Sequence, residues 1–257
     1  LYYVAVPALI IKFVAQSEIG QIDTKQIISY FLMQSICGIF TFIIASKYFK
    51  RPIPESIIWA LTVALSNHVT LLLPISQIYF SEEVVTQVTS IILVDGVILL
   101  SLIAFFLELA TKRNVQLIIF IKNIILNPMI LSILIGVFLF VFNFKIYDSP
   151  IEYTLSTLAL CVSPVGLFAI GIILSFHTDN VINKLTASIS ILKLLVSPLV
   201  LLLIGYVIFD AGLPQKIPGA FFVSVAPCGV TSIVLCSAYN VNPQNIIKAI
   251  FISTFAS

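Results

Sequence analysis

Residues 66–77 read "SNHVTLLLPISQ" and lie inside one of the most hydrophobic regions of the chain. Asn67, His68, Thr70 and Pro74 place an amide, an imidazole, a hydroxyl and a rigid ring where the flanking residues call for lipid. A proline removes one backbone donor and presses on the turn before it. In a bilayer the groups so freed must find partners in protein or in a water-filled cavity. A segment that breaks its own helix in this way either forms a site or only kinks.

The surrounding composition decides what kind of protein holds this break. Of the 257 residues, 60% are hydrophobic and 9% charged, with a mean hydropathy of +1.16. A soluble domain carries roughly a quarter charged residues. A hydrocarbon core about 30 Å thick needs about 20 apolar residues per helix, and such runs follow one another with short connections. Nine spans are expected, near 1–16, 27–47, 56–79, 85–109, 116–142, 152–176, 185–209, 217–239 and 245–257. The chain reads as an all-α polytopic membrane protein. No signal peptide is evident, and sequence is expected beyond both ends.

The loops give an orientation. Lys47, Lys50, Arg51, Lys112, Arg113, Lys122, Lys184 and Lys248 collect on one side if the spans alternate. Lys25, Lys145 and Lys216, with Glu82 and Glu83, fall on the other. The positive-inside rule puts the first set in the cytoplasm, for a bacterium at the inner membrane. The net charge of +2 forms no basic stripe, so nucleic acid is not an expected partner. Cys37, Cys161, Cys228 and Cys236 lie in apolar runs without metal-ligand spacing and read as small buried side chains. No nucleotide-binding loop, metal cluster or Ser/His/Asp arrangement appears, so an enzyme is not expected.

A second break, "SVAPCGVTS" (residues 224–232), centres on Pro227 five spans after the first. Five spans per half force the halves into opposite orientation, which gives a ten-helix 5+5 inverted repeat with two proline-broken crossover helices. On this count the first helix lies before Leu1 and the last is truncated. The first repeat occupies residues 1–109, the cytoplasmic connection 110–116 and the second repeat 117–257. Inverted repeats with discontinuous helices at the midplane are the architecture of secondary transporters.

The motifs resemble the auxin efflux carrier family, within the bile-acid and arsenite permease superfamily. "YYVAVPALI" is similar to its second helix and "NHVTLLLP" to its Asn-x6-Pro crossover. "NPMILSILIG" and "SPVGLFAIGIIL" look like the helices opening the second half, and "APCGVTSIVLCSAYNV" like the second crossover. The resemblance spans nearly the whole chain. It implies a fixed part and a mobile part, often in a homodimer, and a substrate bound where the broken helices cross. It also implies small organic anions, such as malate or malonate, moved by alternating access. The family commonly has small residues between the asparagine and the proline, whereas this chain has "HVTLLL".

Individual residues carry two readings each. Asn67 and Pro74, with Pro227, either bind an anion at half-helix N-termini or only shape a kink. Thr231 and Ser232 either donate hydroxyls to the site or bond back to their own helix. His68 either titrates and couples a proton or packs as a neutral donor, and His177 beside Asp179 reads as a loop residue. Asp95 and Lys193 are the ionisable residues deepest in the spans and are expected to face each other or the cavity, unless Lys193 snorkels. Lys12, Tyr30, Trp59 and Glu108 read as interfacial residues near span ends. No cofactor is expected; proton or sodium coupling is open. The rival readings are a transport-inactive receptor that keeps the carrier fold and a sodium-coupled bile-acid-type symporter.

Overall fold

The structure, a computed structural model, describes residues 3–16, 23–111, 126, 128–142, 144, 149–175, 182–209 and 217–257. Lys112, Arg113, Lys122, Lys145, His177, Asp179 and Lys216 lie outside the described residues, as does most of the 110–116 connection. The described chain is helical: α1 Ala5–Gln16, α2 Thr24–Tyr48, α3 Ile53–Ala64, α4 Leu73–Tyr79, α5 Glu82–Thr111 and α6 Pro128–Val141. There follow α7 Pro150–Leu160, α8 Val162–Ser175, α9 Lys184–Ile208, α10 Pro218–Ser224, α11 Thr231–Ala238 and α12 Gln244–Ala256. α2, α5, α9 and the run Pro150–Ala169 are each long and apolar enough to cross a membrane.

Helix α2 explains its own orientation. Ile28, Leu32, Ile36, Ile39 and Ile43 repeat every three to four positions and stay exposed, the stripe a helix turns to lipid. On the opposite face Tyr30, Met33, Gln34, Cys37 and Thr41 are buried. Asp23 caps the start, accepting from the backbone N–H of Lys25 at 3.0 Å, which supplies one of the orphan donors at a helix N-terminus.

The helices form two sets. α1 packs on α6 and α7, and α8 touches α1 and α7. At Gly136 a Cβ would come within 2.5 Å of Val14 Cβ, so only glycine lets α6 approach α1 this closely. The second set joins α2 to α3, α9 and α10, α5 to α10, and α9 to α12. Between the sets, α8 meets the turn before α4 and α12, and α6 meets the middle of α5.

Four turns widen to π-helical geometry: Ile44–Tyr48, His68–Leu72, Asp95–Leu99 and Leu192–Val196. Two of them end two residues before a proline, Pro74 and Pro198. Neither proline can donate to the turn before it, and each ring crowds that turn's carbonyls, which favours the wider winding. Pro74 therefore widens its helix, while the break itself lies upstream at residues 65–67.

That break pairs with the second one. The backbone N–H of Asn67 donates to Pro227 O at 2.9 Å, and that of Gly229 donates to Leu65 O at 2.8 Å. Ser66 and Cys228 are thus opposed as an antiparallel bridge. A Cβ on Gly229 would meet Leu65 O at 2.7 Å. Gly229→Ala is expected to lower stability by about 1–3 kcal/mol through forced overpacking, read as a drop in thermal midpoint of the purified protein. Gly171, where a Cβ meets nothing within 4 Å, serves as the control; an equal loss in Gly171→Ala would remove the crossing as the cause.

Candidate functional site

The two breaks expose backbone that lipid cannot satisfy, so each free group matters. An unsatisfied group costs several kcal/mol in hydrocarbon, whereas an interhelical side-chain hydrogen bond contributes only about 0.6–2 kcal/mol. Satisfying the breaks therefore outweighs any single packing contact. Gly219 N–H donates to Gln87 Oε1 at 2.9 Å, and Ala220 N–H to Gln26 Oε1 at 3.3 Å. Two buried glutamines, one from α5 and one from α2, thereby take up the first donors of α10. Cys228 N–H donates to Ser253 Oγ of α12 at 3.1 Å.

Ser66 is the hub of the crossing. Its hydroxyl donates to Val223 O at 2.7 Å and accepts from Lys193 Nζ at 2.7 Å, with Tyr30 Oη at 3.4 Å. Lys193 is wholly buried and does not snorkel. Tyr30 and Trp59 are also buried, at 1% and 0% exposure, and Glu108 is buried too, so the interfacial reading of these three is corrected. Tyr30 faces the crossing, and Trp59 Nε1–H donates to Glu55 Oε1 at 3.3 Å. Each is a polar aromatic that satisfies its hydrogen-bonding end inside protein rather than at a membrane surface. Of the cysteines, Cys161 is exposed rather than buried, because its face of the helix is unpacked.

His68 and Asp95 meet directly, Nε2 to Oδ2 at 2.9 Å, with both side chains almost fully buried. Asp95 Oδ1 has no partner among the described residues. Asp95 and Lys193 make no direct ion pair there: Asp95 takes His68 and Lys193 takes Ser66. Both partners, His68 and Ser66, belong to the first break, so the two charges reach the same crossing without a direct bond. Both charges begin or occupy π turns, irregularities that recur at functional positions.

A cavity of about 150 Å³ opens at this place. Asn67, His68, Thr70 and Thr231 line it, together with Ser66, Gly96 and apolar side chains that include Val6 of α1. Its wall thus draws on both helix sets. Thr70 Oγ1 donates to Asn67 Oδ1, and the Asn67 amide nitrogen is buried without a partner among the described residues. Pro74, Pro227 and Ser232 do not line the cavity. Pro74 widens a turn, Pro227 supplies a carbonyl to the crossing, and Ser232 Oγ is buried without a partner. Ser66, Tyr30, Gln26 and Gln87 were not singled out in the sequence as site-builders. Ser66 had a signal, since it immediately precedes Asn67 in the broken run. Among the described residues no cluster of His, Cys, Asp or Glu could hold a metal ion.

A polytopic protein, helical through its described residues, with two interlocked broken helices beside a largely apolar cavity fits the class of membrane transporters. A family model described as membrane transport protein matches residues 1–257, and the chain belongs to that family. This membership includes the resemblance to the auxin efflux carriers. No curated protein matches the chain.

The His68–Asp95 pair gives a check on the geometry. Removing one partner of a buried pair leaves the other uncompensated, at about 3–5 kcal/mol. His68→Ala and Asp95→Ala should each destabilise the purified protein by that order, and the double variant by clearly less than the sum. Additive losses in thermal or denaturant unfolding would mean that the two side chains do not interact.

Proposed function

We propose that the protein is a secondary carrier that moves a small organic anion, a carboxylate, across the membrane by alternating access. The observation that carries this reading is the Asn67 amide nitrogen, buried and unpartnered at a cavity wall where two broken helices meet. An orphaned buried donor is costly unless a ligand takes it up, and a carboxylate accepts such donors in preference to a neutral group. The first N–H groups of a helix, here those beginning at His68 and at Thr231, add positive potential from opposite sides.

In this reading α1 and α6–α8 form the fixed part and the remaining helices the mobile one. The contacts between them run from α8 to the turn before α4 and to α12, and from α6 to the middle of α5. Gly96 faces Ile133 there, where a Cβ would come within 3.0 Å of Ile133 Cδ1, a surface smooth enough for sliding. The basic loops face the cytoplasm by the positive-inside rule.

Charge balance favours proton coupling. Asp95 and Lys193, when ionised, cancel at the crossing, so an anion alone adds one uncompensated negative charge there, in a medium that penalises it. A proton taken up by His68, already bonded to Asp95, restores neutrality for the crossing. Uptake of labelled malate and malonate, and of a monocarboxylate, into proteoliposomes should be saturable and accelerated by an inward-acidic gradient. Asn67→Ala should reduce uptake by about tenfold or more, the loss expected of one charge-assisted hydrogen bond. His68→Ala should abolish the response to the gradient. Uptake indistinguishable from empty liposomes for every anion would contradict the reading and favour a receptor that binds without transport.

A further inference from the structure

We infer that the substrate is a monocarboxylate with a short apolar tail, of about four to six carbons in all, and that dicarboxylates are poor ligands. This inference rests on the carrier reading and narrows its substrate class. The cavity wall carries a few polar groups and is otherwise apolar. Asn67, Thr70 and Thr231 are among its polar lining residues, and the Asn67 amide nitrogen has no partner among the described residues. Buried Val6, Leu65, Val69, Ile92 and Leu100 supply much of the apolar wall, which extends to the exposed Val234.

A second carboxylate would call for a cation, and no Lys or Arg is among the described lining residues. Lys193 is wholly buried and does not line the cavity; its ammonium is bound to Ser66. Ser66 in turn donates to Val223 O, and the Thr70 hydroxyl is spent on Asn67 Oδ1. His68 does line the cavity, yet its Nε2 is held by Asp95. Burying a carboxylate against valine, leucine and isoleucine without a partner is strongly unfavourable, whereas a methyl or isopropyl group gains there. The volume of 150 Å³ sets the size, because an apolar cavity of about that volume admits a six-membered hydrocarbon ring.

Equilibrium binding to the purified full-length protein, measured by titration calorimetry with isovalerate, malonate and malate, tests this directly. It avoids the passive leak of short acids that complicates uptake. Isovalerate should bind at least about tenfold more tightly than either dicarboxylate, and Asn67→Ala should weaken it by a similar factor. Leu100→Ala, which opens the apolar wall, should shift the preference toward hexanoate while keeping the dependence on Asn67. If malonate or malate bound as tightly as isovalerate, the narrowing would be wrong and the carrier reading would stand. If folded protein, monodisperse by size exclusion, bound none of these acids, the carboxylate-carrier reading would fall with it.

Discussion

Everything at the centre of this protein depends on two broken backbones satisfying each other. Leu65 and Asn67 on one side, Pro227 and Gly229 on the other, exchange a pair of N–H to carbonyl bonds where neither segment is helical. In water such groups could turn to solvent; in a bilayer they cannot. The pairing turns two local defects into one structure, and it fixes where the cavity forms. Gly229 is part of the same constraint, since its missing side chain is what lets the segments meet. Because the pairing joins residues more than 150 positions apart, neither break is complete without the other half of the chain.

Polar side chains follow from this arrangement in order of need. Gln26 and Gln87 satisfy donors at the start of α10, Ser253 satisfies the backbone at Cys228, and Ser66 ties Lys193 to the crossing. These groups hold the break open. Buried groups without a partner among the described residues include the Asn67 amide nitrogen, on a residue that lines the cavity, and Asp95 Oδ1 beside His68. The chemistry of transport is assigned to those two groups rather than to the more conspicuous buried charge of Lys193, which serves the architecture.

The membrane-spanning helical class was legible from composition alone, and the crossing was legible from two proline-centred runs of small and polar residues. The residues lining the cavity were also within reach, since Asn67, His68, Thr70 and Thr231 all sit in those runs. What escaped was geometry set by partners distant in sequence. Tyr30, Trp59 and Glu108 look like interfacial residues because they stand near span ends, and only the packing of other helices over them makes them buried. Asp95 and Lys193 read as natural partners by charge, yet each bonds a polar side chain of the first break, His68 and Ser66. The displacement of the first break from Pro74 to residues 65–67 has a similar origin, because a π turn absorbs the proline and the pairing with Pro227 and Gly229 selects the break.

The pairing of the two breaks is open to one direct measurement. Ser66 and Cys228 oppose each other without hydrogen-bonding together, a pair type whose Cα atoms lie about 4.5 Å apart and so within reach of a disulfide. In full-length protein lacking Cys37, Cys161 and Cys236, the Ser66→Cys variant should form a link to the native Cys228 under mild oxidation. Peptide mapping by mass spectrometry would identify it. The account predicts near-complete linkage of residues 66 and 228 in folded protein. Two free thiols after oxidation of a correctly folded sample would contradict it, because the broken helices would then not cross where the cavity is placed.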